Sequence, residues 1–150
     1  SFVVDELGFD AAINYKNQDV GNALDTTCPE GIDIYFDNVG GFVTDAVMDR
    51  INTGARISVC GQISQYNLPE PELAPRNMSI LTRKQSKMEG FLVTKYQSLF
   101  DDGRIRMAGW IKSGELKYRE YVVEDLENAP RTFIGMLNGE NFGKTLIKLI

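Results

Sequence analysis

IDIYFDNVGG (residues 32–41) and ARISVCGQISQYN (residues 55–67) decide the fold of this 150-residue chain. Each begins with a nearly continuous apolar run, which is typical of a strand buried on both faces of a sheet, and each then passes into a polar turn that contains glycine. Between them, apolar residues recur at helical spacing over residues 42–52. A strand, a helix and a second strand in this order predict a parallel sheet.

The same alternation of strand and helix patterns extends to both sides of these two stretches. After a helix end at residues 1–7, closed by Gly8, the patterns predict strands at 11–15, 32–39, 55–64 and 91–96, with helices at 17–27, 42–52, 78–86 and 98–113. A second β-α-β unit follows, with strands at 118–124 and 143–150 around a helix at 126–137. The predicted fold class is therefore α/β, with a doubly wound parallel sheet.

A glycine-rich phosphate loop is the element that this pattern lacks. Such a loop joins the first strand of a nucleotide-binding sheet to its first helix, and no GxGxxG sequence occurs in the chain. The short cluster Gly40-Gly41 follows the wrong strand for that role. We therefore expect a partial sheet, whose first strand and glycine loop lie upstream of Ser1.

The composition argues against several classes of function. The net charge is −5 and the basic residues are scattered, so nucleic acid is not an expected partner. No apolar run approaches the roughly 18 residues that a membrane span needs. The absence of histidine excludes a Ser-His-Asp triad and most catalytic zinc sites within the chain, and no metal is expected. Cys28 and Cys60 lack metal-ligand spacing and are typical of a cytoplasmic protein with reduced thiols.

Polar and glycine residues follow three of the predicted strands, at the edge where open α/β sheets bind ligands. Tyr15 and Lys16 end the first strand and could hold a ribose phosphate. Asn38 follows the second strand, and its amide suits a sugar hydroxyl or a carboxamide. Tyr66 follows the third strand, where its hydroxyl could donate a hydrogen bond to a carbonyl oxygen that gains negative charge.

Each of these residues also has a purely structural explanation. Asp37 and Asn38 could cap the following helix, and Gly40-Gly41 could serve only as the turn. Cys60 could be a small buried apolar residue, and the tyrosines could be half-buried packing residues. Their grouping at three strand ends is what favours a ligand site.

Longer motifs carry a resemblance to a known family. YFDNVGG (35–41) followed by ARISVCGQISQYN (55–67) resembles the zinc-independent medium-chain dehydrogenases/reductases, in particular the prostaglandin reductases, also called leukotriene B4 12-hydroxydehydrogenases, and the alkenal reductases. Further similar segments are ELGFDAAINYK (6–16), MEGFLV (88–93), GELKYREYVVEDLENAP (114–130) and GENFGKTLIKL (139–149). The resemblance covers essentially the whole chain, which is identified as the carboxyl-terminal half of such an enzyme.

The resemblance implies an NADPH site. In it, Tyr15 contacts the 2′-phosphate, Asn38 lies on the nicotinamide side, and Asn141 reaches back to the cofactor from the tail. One loop wraps the nicotinamide ribose and consists of Cys60, Gly61, Gln62, Ile63, Ser64, Gln65 and Tyr66. The nicotinamide carboxamide is held by the backbone of Phe91, Leu92 and Val93. Tyr66 is also the implied catalytic residue, near the substrate carbonyl.

The resemblance further implies a domain plan and an activity. Residues 1–115 are the remainder of a Rossmann-type nucleotide-binding domain, and residues 116–150 form a tail that returns to a GroES-like substrate domain. The expected reaction is the NADPH-dependent (NADP) reduction of the carbon–carbon double bond of α,β-unsaturated ketones or aldehydes. The expected enzyme is a cytoplasmic homodimer that takes a small-molecule enone or enal, and the isolated segment is expected to be inactive.

The residues also allow two other hypotheses for the class of protein. One is a non-catalytic binding module built on the same nucleotide fold, which would have no reason to keep the CGQISQYN loop at residues 60–67. The other is a fragment of a zinc alcohol dehydrogenase, against which the NYK (14–16) and CGQISQYN elements argue.

Overall fold

The computed structural model describes residues 2–149 of the chain. Their contacts divide into two compact units, one ending at Gln97 and the other beginning at Ser98. The domain boundary that the resemblance implies, between residues 115 and 116, concerns the longer enzyme and stays a prediction. No helix within residues 2–149 combines the length and the apolar character needed to cross a membrane.

The first unit is built around a three-stranded parallel sheet with the order β1-β2-β3. It opens with a π-helical turn, Phe2–Glu6, and continues through α1 (Val20–Thr27), β1 (Ile32–Asp37), α2 (Gly41–Met48), β2 (Ile51–Val59), α3 (Ser79–Arg83) and β3 (Lys87–Gly90). A 3-10 segment, Val93–Leu99, follows the last strand. The predicted α/β class with a parallel sheet is confirmed.

The register of the sheet aligns the carboxyl ends of its three strands. Asp37, the last residue of β1, lies beside Val59, the last residue of β2, and Val59 lies beside Gly90, the last residue of β3. Parallel strands place their carboxyl ends at one edge, so the loops that follow β1, β2 and β3 start side by side. This edge positions the candidate site described below.

One apolar cluster holds helices α1, α2 and α3 against the sheet. Ile51 and Ile57 of β2 lie at its centre and are 1% and 2% exposed. The other buried members are Val20, Leu24, Ile32, Val47, Met48, Ala55 and Ile80. All three helices contribute to this one cluster. On β1, by contrast, the side chains of Ile34 and Phe36 are 66% and 60% exposed. The apolar run of β1 predicted burial on both faces, and that expectation is wrong for these two side chains.

The predicted strand at residues 11–15 is not formed within the described residues. The chain turns there instead, because the carbonyl of Asn14 accepts hydrogen bonds from the amides of Asn17 and Gln18. The Asn14 side chain also accepts from the amide of Lys16, at 3.2 Å, and the Gln18 side chain accepts from the amide of Asn14. Asparagine favours such local turns because its side chain competes with a strand ladder for backbone groups.

Several other element boundaries differ from the sequence pattern. The helix predicted over residues 42–52 ends at Met48, and β2 begins at Ile51, four residues before the predicted strand. The fourth predicted strand, at 91–96, is wrong, since β3 is Lys87–Gly90 and pairs with Arg56–Val59 of β2. Where β2 ends, β3 loses its partner, and the apolar residues that follow belong to a turn. Tertiary pairing therefore overrides local propensity.

The second unit contains α4 (Phe100–Ser113), β4 (Glu120–Glu124), α5 (Ala129–Leu137) and β5 (Lys144–Lys148). Gly114, with φ of 80°, closes α4 in a left-handed conformation that glycine adopts without strain. Strands β4 and β5 pair in parallel from Glu120↔Lys144 to Glu124↔Lys148. The predicted β-α-β unit is confirmed, except that Ile150 at its end lies outside the described residues.

Truncation of the sheet core should destabilise the protein strongly. We expect Ile57→Ala to lower the free energy of unfolding by about 3 kcal/mol, since it removes a buried side chain and leaves a cavity in the packed cluster. The matched control is Ile105→Ala on α4, where the side chain is 72% exposed, and a change within about 0.5 kcal/mol is expected. Urea unfolding followed by circular dichroism makes the comparison, and equal losses in the two variants would contradict this assignment of the core.

Candidate functional site

The carboxylate of Asp37 organises the turn that follows β1. Asp37 is 1% exposed. Its Oδ1 accepts hydrogen bonds from the Tyr35 hydroxyl at 3.0 Å, the Val39 amide at 3.0 Å and the Gly40 amide at 2.9 Å. Its Oδ2 accepts from Thr44 Oγ1 on α2 at 2.7 Å. The side chain thus ties the end of β1 to the start of α2.

These hydrogen bonds determine the charge state of Asp37. Burial alone raises the pKa of a carboxyl group, but the donors Thr44, Gly40 and Val39 outweigh it and hold the pKa of Asp37 below its ordinary value. The same burial, together with the neighbouring carboxylate, raises the pKa of Tyr35 to about 12. At neutral pH the site therefore contains a buried, fully hydrogen-bonded carboxylate and a protonated tyrosine.

The loop that follows β2 is held by backbone atoms of the same turn. The carbonyl oxygen of Asp37 accepts hydrogen bonds from the amides of Cys60, at 2.7 Å, and Gly61, at 3.2 Å. Two residues further along the first loop, the carbonyl of Val39 accepts hydrogen bonds from the Ser64 amide, at 3.1 Å, and the Ser64 hydroxyl, at 2.6 Å. The two loops are therefore joined along their length.

Glycine is required where these loops touch. Gly40 has φ of 74°, and a Cβ there would lie 2.8 Å from the Cβ of Gln62. A Cβ on Gly61 would lie 2.7 Å from the Tyr66 hydroxyl and 2.8 Å from Oδ1 of Asn38. A larger residue at Gly40 would strain the backbone and collide with Gln62, and one at Gly61 would displace the Asn38 and Tyr66 side chains. The missing side chain at Gly61 is therefore what lets Asn38 and Tyr66 approach the same point.

The hydroxyl of Tyr66 has a fixed acceptor role and a proton to donate. It accepts a hydrogen bond from the amide of Gln62 at 2.9 Å. A phenolic oxygen can accept and donate at once, so this contact leaves the hydroxyl proton for a second partner. Tyr66 is 66% exposed, which excludes the half-buried packing role that its residue type allowed. Cys60 is exposed as well.

An open cleft of about 460 Å³ lies beside these groups, lined by residues 59–62, Tyr66 and residues 90–92. Its far wall follows β3, where the amide of Phe91 donates to the carbonyl of Val59 at 3.1 Å. The Phe91 ring packs edge-on against Phe36, with ring centres 6.0 Å apart. A Cβ on Gly90 would meet nothing within 4 Å, so the cleft is unobstructed there.

The structure thus brings together most of the predicted site residues. Asn38, the loop from Cys60 to Tyr66, and Phe91 with Leu92 surround or adjoin the cleft, and Val93 begins the segment that follows. Tyr15 lies elsewhere in the first unit, 57% exposed on the turn at Asn14. Asn141 belongs to the second unit, where its amide donates to the carbonyl of Gly143 at 3.0 Å and lines a separate cleft of about 240 Å³.

Asp37 and Thr44 are the functional candidates that sequence reasoning missed. The sequence allowed Asp37 to be a helix cap, but the residue in that position is Gly40, and α2 has no side-chain cap. The signal that could have identified Asp37 is a carboxylate at the end of an apolar strand, because such a group must find several donors when it is buried. Within residues 2–149, no group of three or more cysteine, aspartate or glutamate side chains is arranged to hold a metal.

A parallel sheet with glycine-containing loops at its aligned carboxyl ends is the architecture of the nucleotide-binding domain of dehydrogenases. The chain belongs to the zinc-binding dehydrogenase family, whose model matches residues 7–147. The resemblance to the prostaglandin and alkenal reductases is confirmed.

The chain is 42% identical to the NADPH-dependent curcumin reductase of Escherichia coli (strain K12), over 95% of the chain and 43% of that protein. It is 41% identical to prostaglandin reductase 1 of Rattus norvegicus, over 95% of the chain and 44% of that protein. The crystal structure of CurA in complex with NADPH from Vibrio vulnificus superposes with a TM-score of 0.91 at 45% identity, over 99% of the chain and 46% of that structure. The chain therefore spans less than half the length of these relatives.

Removal of one hydrogen-bond donor that contacts Asp37 should destabilise the folded protein, and the size of the effect should depend on pH. We expect Thr44→Val to lower the free energy of unfolding by about 1–2 kcal/mol at pH 7, since it removes a hydrogen bond to a buried charge. A carboxylate with a lowered folded-state pKa contributes stability above its unfolded pKa of about 4 and loses that contribution as the pH falls. The difference between variant and wild type should therefore shrink below about pH 4.

Unfolding in urea at pH 7 and at pH 3 tests this expectation. The matched control is Thr26→Val on α1, whose hydroxyl donates only to the backbone carbonyl of Asn22 at an exposed position. A Thr44→Val deficit that stays constant between the two pH values would contradict the role of the Asp37 charge.

Proposed function

We propose that the protein is an NADPH-dependent reductase that acts on the carbon–carbon double bond of α,β-unsaturated ketones or aldehydes. The observation that carries the proposal is the hydroxyl of Tyr66, which borders the cleft with a proton to donate and stands next to the Asn38 amide at Gly61. The names of the relatives, a curcumin reductase and a prostaglandin reductase, agree with a small conjugated carbonyl compound as substrate.

The cleft fits the nicotinamide half of NADPH. Its walls offer small and apolar side chains together with exposed backbone, and Gly90 lets a flat ring approach closely. We infer that the loop from Cys60 to Tyr66 holds the nicotinamide ribose, that Asn38 contacts the nicotinamide side, and that the backbone from Phe91 to Val93 holds the carboxamide. The similar CurA structure was solved in complex with NADPH, which supports NADPH as the cofactor.

When it is bound, NADPH supplies the hydride that reduces the β-carbon of the substrate. The contribution of this chain is orientation and charge stabilisation. Hydride addition at the β-carbon leaves an enolate, which is protonated at the α-carbon to complete the reduction, and the Tyr66 hydroxyl can donate a hydrogen bond to the enolate oxygen. The Gln62 amide keeps the hydroxyl in place while it does so. A donor that is positioned beforehand stabilises the developing charge without reorganisation.

Further proposals concern residues outside the cleft and the longer enzyme. We propose that Tyr15, with Lys16, contacts the 2′-phosphate, and that Asn141 contacts the cofactor from the second unit. We also propose that residues 116–150 complete a substrate domain and that the enzyme is a cytoplasmic homodimer. Sedimentation of the purified enzyme tests the homodimer, since a monomer at micromolar concentration would contradict it. The Tyr66 arrangement favours this enzyme over a non-catalytic binding module, which needs no exposed donor in a cleft.

Replacement of Tyr66 by phenylalanine should lower the rate of the chemical step. We expect kcat for an enone to fall on the order of 10²-fold with Tyr66→Phe, and the Kd for NADPH to change less, because the hydroxyl acts mainly in the transition state. Steady-state NADPH oxidation and a binding titration give the two values. The control is Tyr118→Phe, another exposed tyrosine, in the second unit. Wild-type kcat in Tyr66→Phe with several enones would show that the Tyr66 hydroxyl takes no part in the reaction.

The cofactor preference should depend on the turn at Tyr15. We expect a higher kcat/KM for NADPH than for NADH, and we expect Lys16→Met to reduce the ratio about 10-fold by removing a charge-assisted contact to the 2′-phosphate. The control is Lys112→Met on α4, which removes an equal charge from the second unit. Equal kcat/KM for the two cofactors in the wild-type enzyme would refute the assignment of this turn.

A further inference from the structure

Asp37 is buried beneath the candidate site and does not line it. The lining of the 460 Å³ cleft comes from residues 59–62, Tyr66 and residues 90–92. Asp37 nevertheless makes contacts to both loops that lead to the cleft. Its carboxylate holds the amides of Val39 and Gly40, and its carbonyl oxygen holds the amides of Cys60 and Gly61.

We propose that Asp37 is a positioning residue, which sets Asn38 and Tyr66 in the geometry for cofactor and substrate by joining the two loops from below. This inference rests on the proposed function and deepens it. Asp37 touches neither the cofactor nor the substrate, but it positions Asn38 and Tyr66, which are proposed to touch them. Asp37 acts through Gly61, around which the Asn38 amide and the Tyr66 hydroxyl meet.

A carboxylate suits this position better than any neutral side chain of the same shape. Three donors converge on Oδ1, namely the Tyr35 hydroxyl and the amides of Val39 and Gly40, and Thr44 donates to Oδ2. A carboxylate accepts all four, and its charge strengthens each bond. Asparagine has the same shape but one acceptor oxygen, so it can keep the three hydrogen bonds to Oδ1 in weaker form while it loses the acceptor for Thr44. Asp37→Asn is therefore a conservative variant that should still fold.

A shift of the two loops would reach the chemistry directly. The amides of Cys60 and Gly61 depend on the Asp37 carbonyl, and the Tyr66 hydroxyl is held by the amide of Gln62, the next residue along the chain. Movement of the turn after β1 is thus transmitted to the hydroxyl through consecutive residues. Displacement of a reacting group by about 1 Å can cost on the order of 10²-fold in rate.

The first experiment measures the loops without any ligand. Backbone amide hydrogen exchange is compared between the wild-type full-length protein and Asp37→Asn. We expect exchange at Val39, Gly40, Cys60 and Gly61 to be at least about 10-fold faster in the variant, with Ile57 in the middle of β2 unchanged. Tyr35→Phe removes one donor and leaves Asp37 in place, so it should give a smaller change in the same direction.

The second experiment measures the consequence for catalysis in the same full-length protein. With NADPH and enone both saturating, at a temperature where circular dichroism shows every variant folded, we expect kcat of Asp37→Asn to fall on the order of 10²-fold. Tyr35→Phe should fall less. The matched control is Asp25→Asn, which breaks the exposed pair that Asp25 forms with Arg50 at 2.7 Å and touches neither loop. Its kcat should stay within about twofold of wild type.

The outcomes separate this inference from the proposed function. Wild-type kcat and wild-type exchange in Asp37→Asn, in an enzyme that does reduce enones, would overturn the positioning role and leave the reductase assignment standing. Faster loop exchange with unchanged kcat would also overturn it, because the loops would then move without effect on the chemistry. A wild-type protein that neither binds NADPH nor oxidises it with enones would overturn both.

Discussion

The hydrogen bonds of Asp37 are the constraint on which the candidate site depends. A buried carboxylate is costly unless several donors surround it, and here two backbone amides, a threonine and a tyrosine do so. Because those donors come from the strand, the turn and the following helix, the carboxylate fixes three elements at once. Its backbone carbonyl extends the same constraint to the neighbouring loop. The exposed groups of the site then need few contacts of their own.

This arrangement is possible because the sheet is parallel and its strands end in register. Asp37, Val59 and Gly90 lie side by side, so the three loops begin at the same edge. The glycines then remove the side chains that would keep the loops apart, above all at Gly61. A rigid core of isoleucine, valine and methionine side chains holds the strands from one face. Rigid strands with functional groups on the loops that follow them are how α/β proteins combine stability with chemistry.

Some expectations from the sequence were right because they rest on long periodic segments. The alternation of apolar strands and amphipathic helices predicted the α/β class, and the β-α-β unit from Glu120 to Lys148 was found as a parallel pair. Others failed where a partner decides the structure. Residues 11–15 have strand composition but turn at Asn14. The strand predicted from Phe91 instead ends at Gly90, because β2 supplies the pairing only up to that residue. Strand boundaries depend on neighbours that a local pattern does not contain.

By itself, the sequence determined the class of fold, the family and the residue types available for chemistry, because these follow from periodicity, composition and motif order. It marked Asn38, Tyr66 and the glycines as residues at strand ends. Only the tertiary structure decided that Asn38 and Tyr66 both approach Gly61, that the Tyr66 hydroxyl accepts a hydrogen bond from the Gln62 amide, and that Asp37 bonds to both loops. These contacts join residues from separate strands, and their distances depend on the register of the sheet, which the packing of the whole core sets.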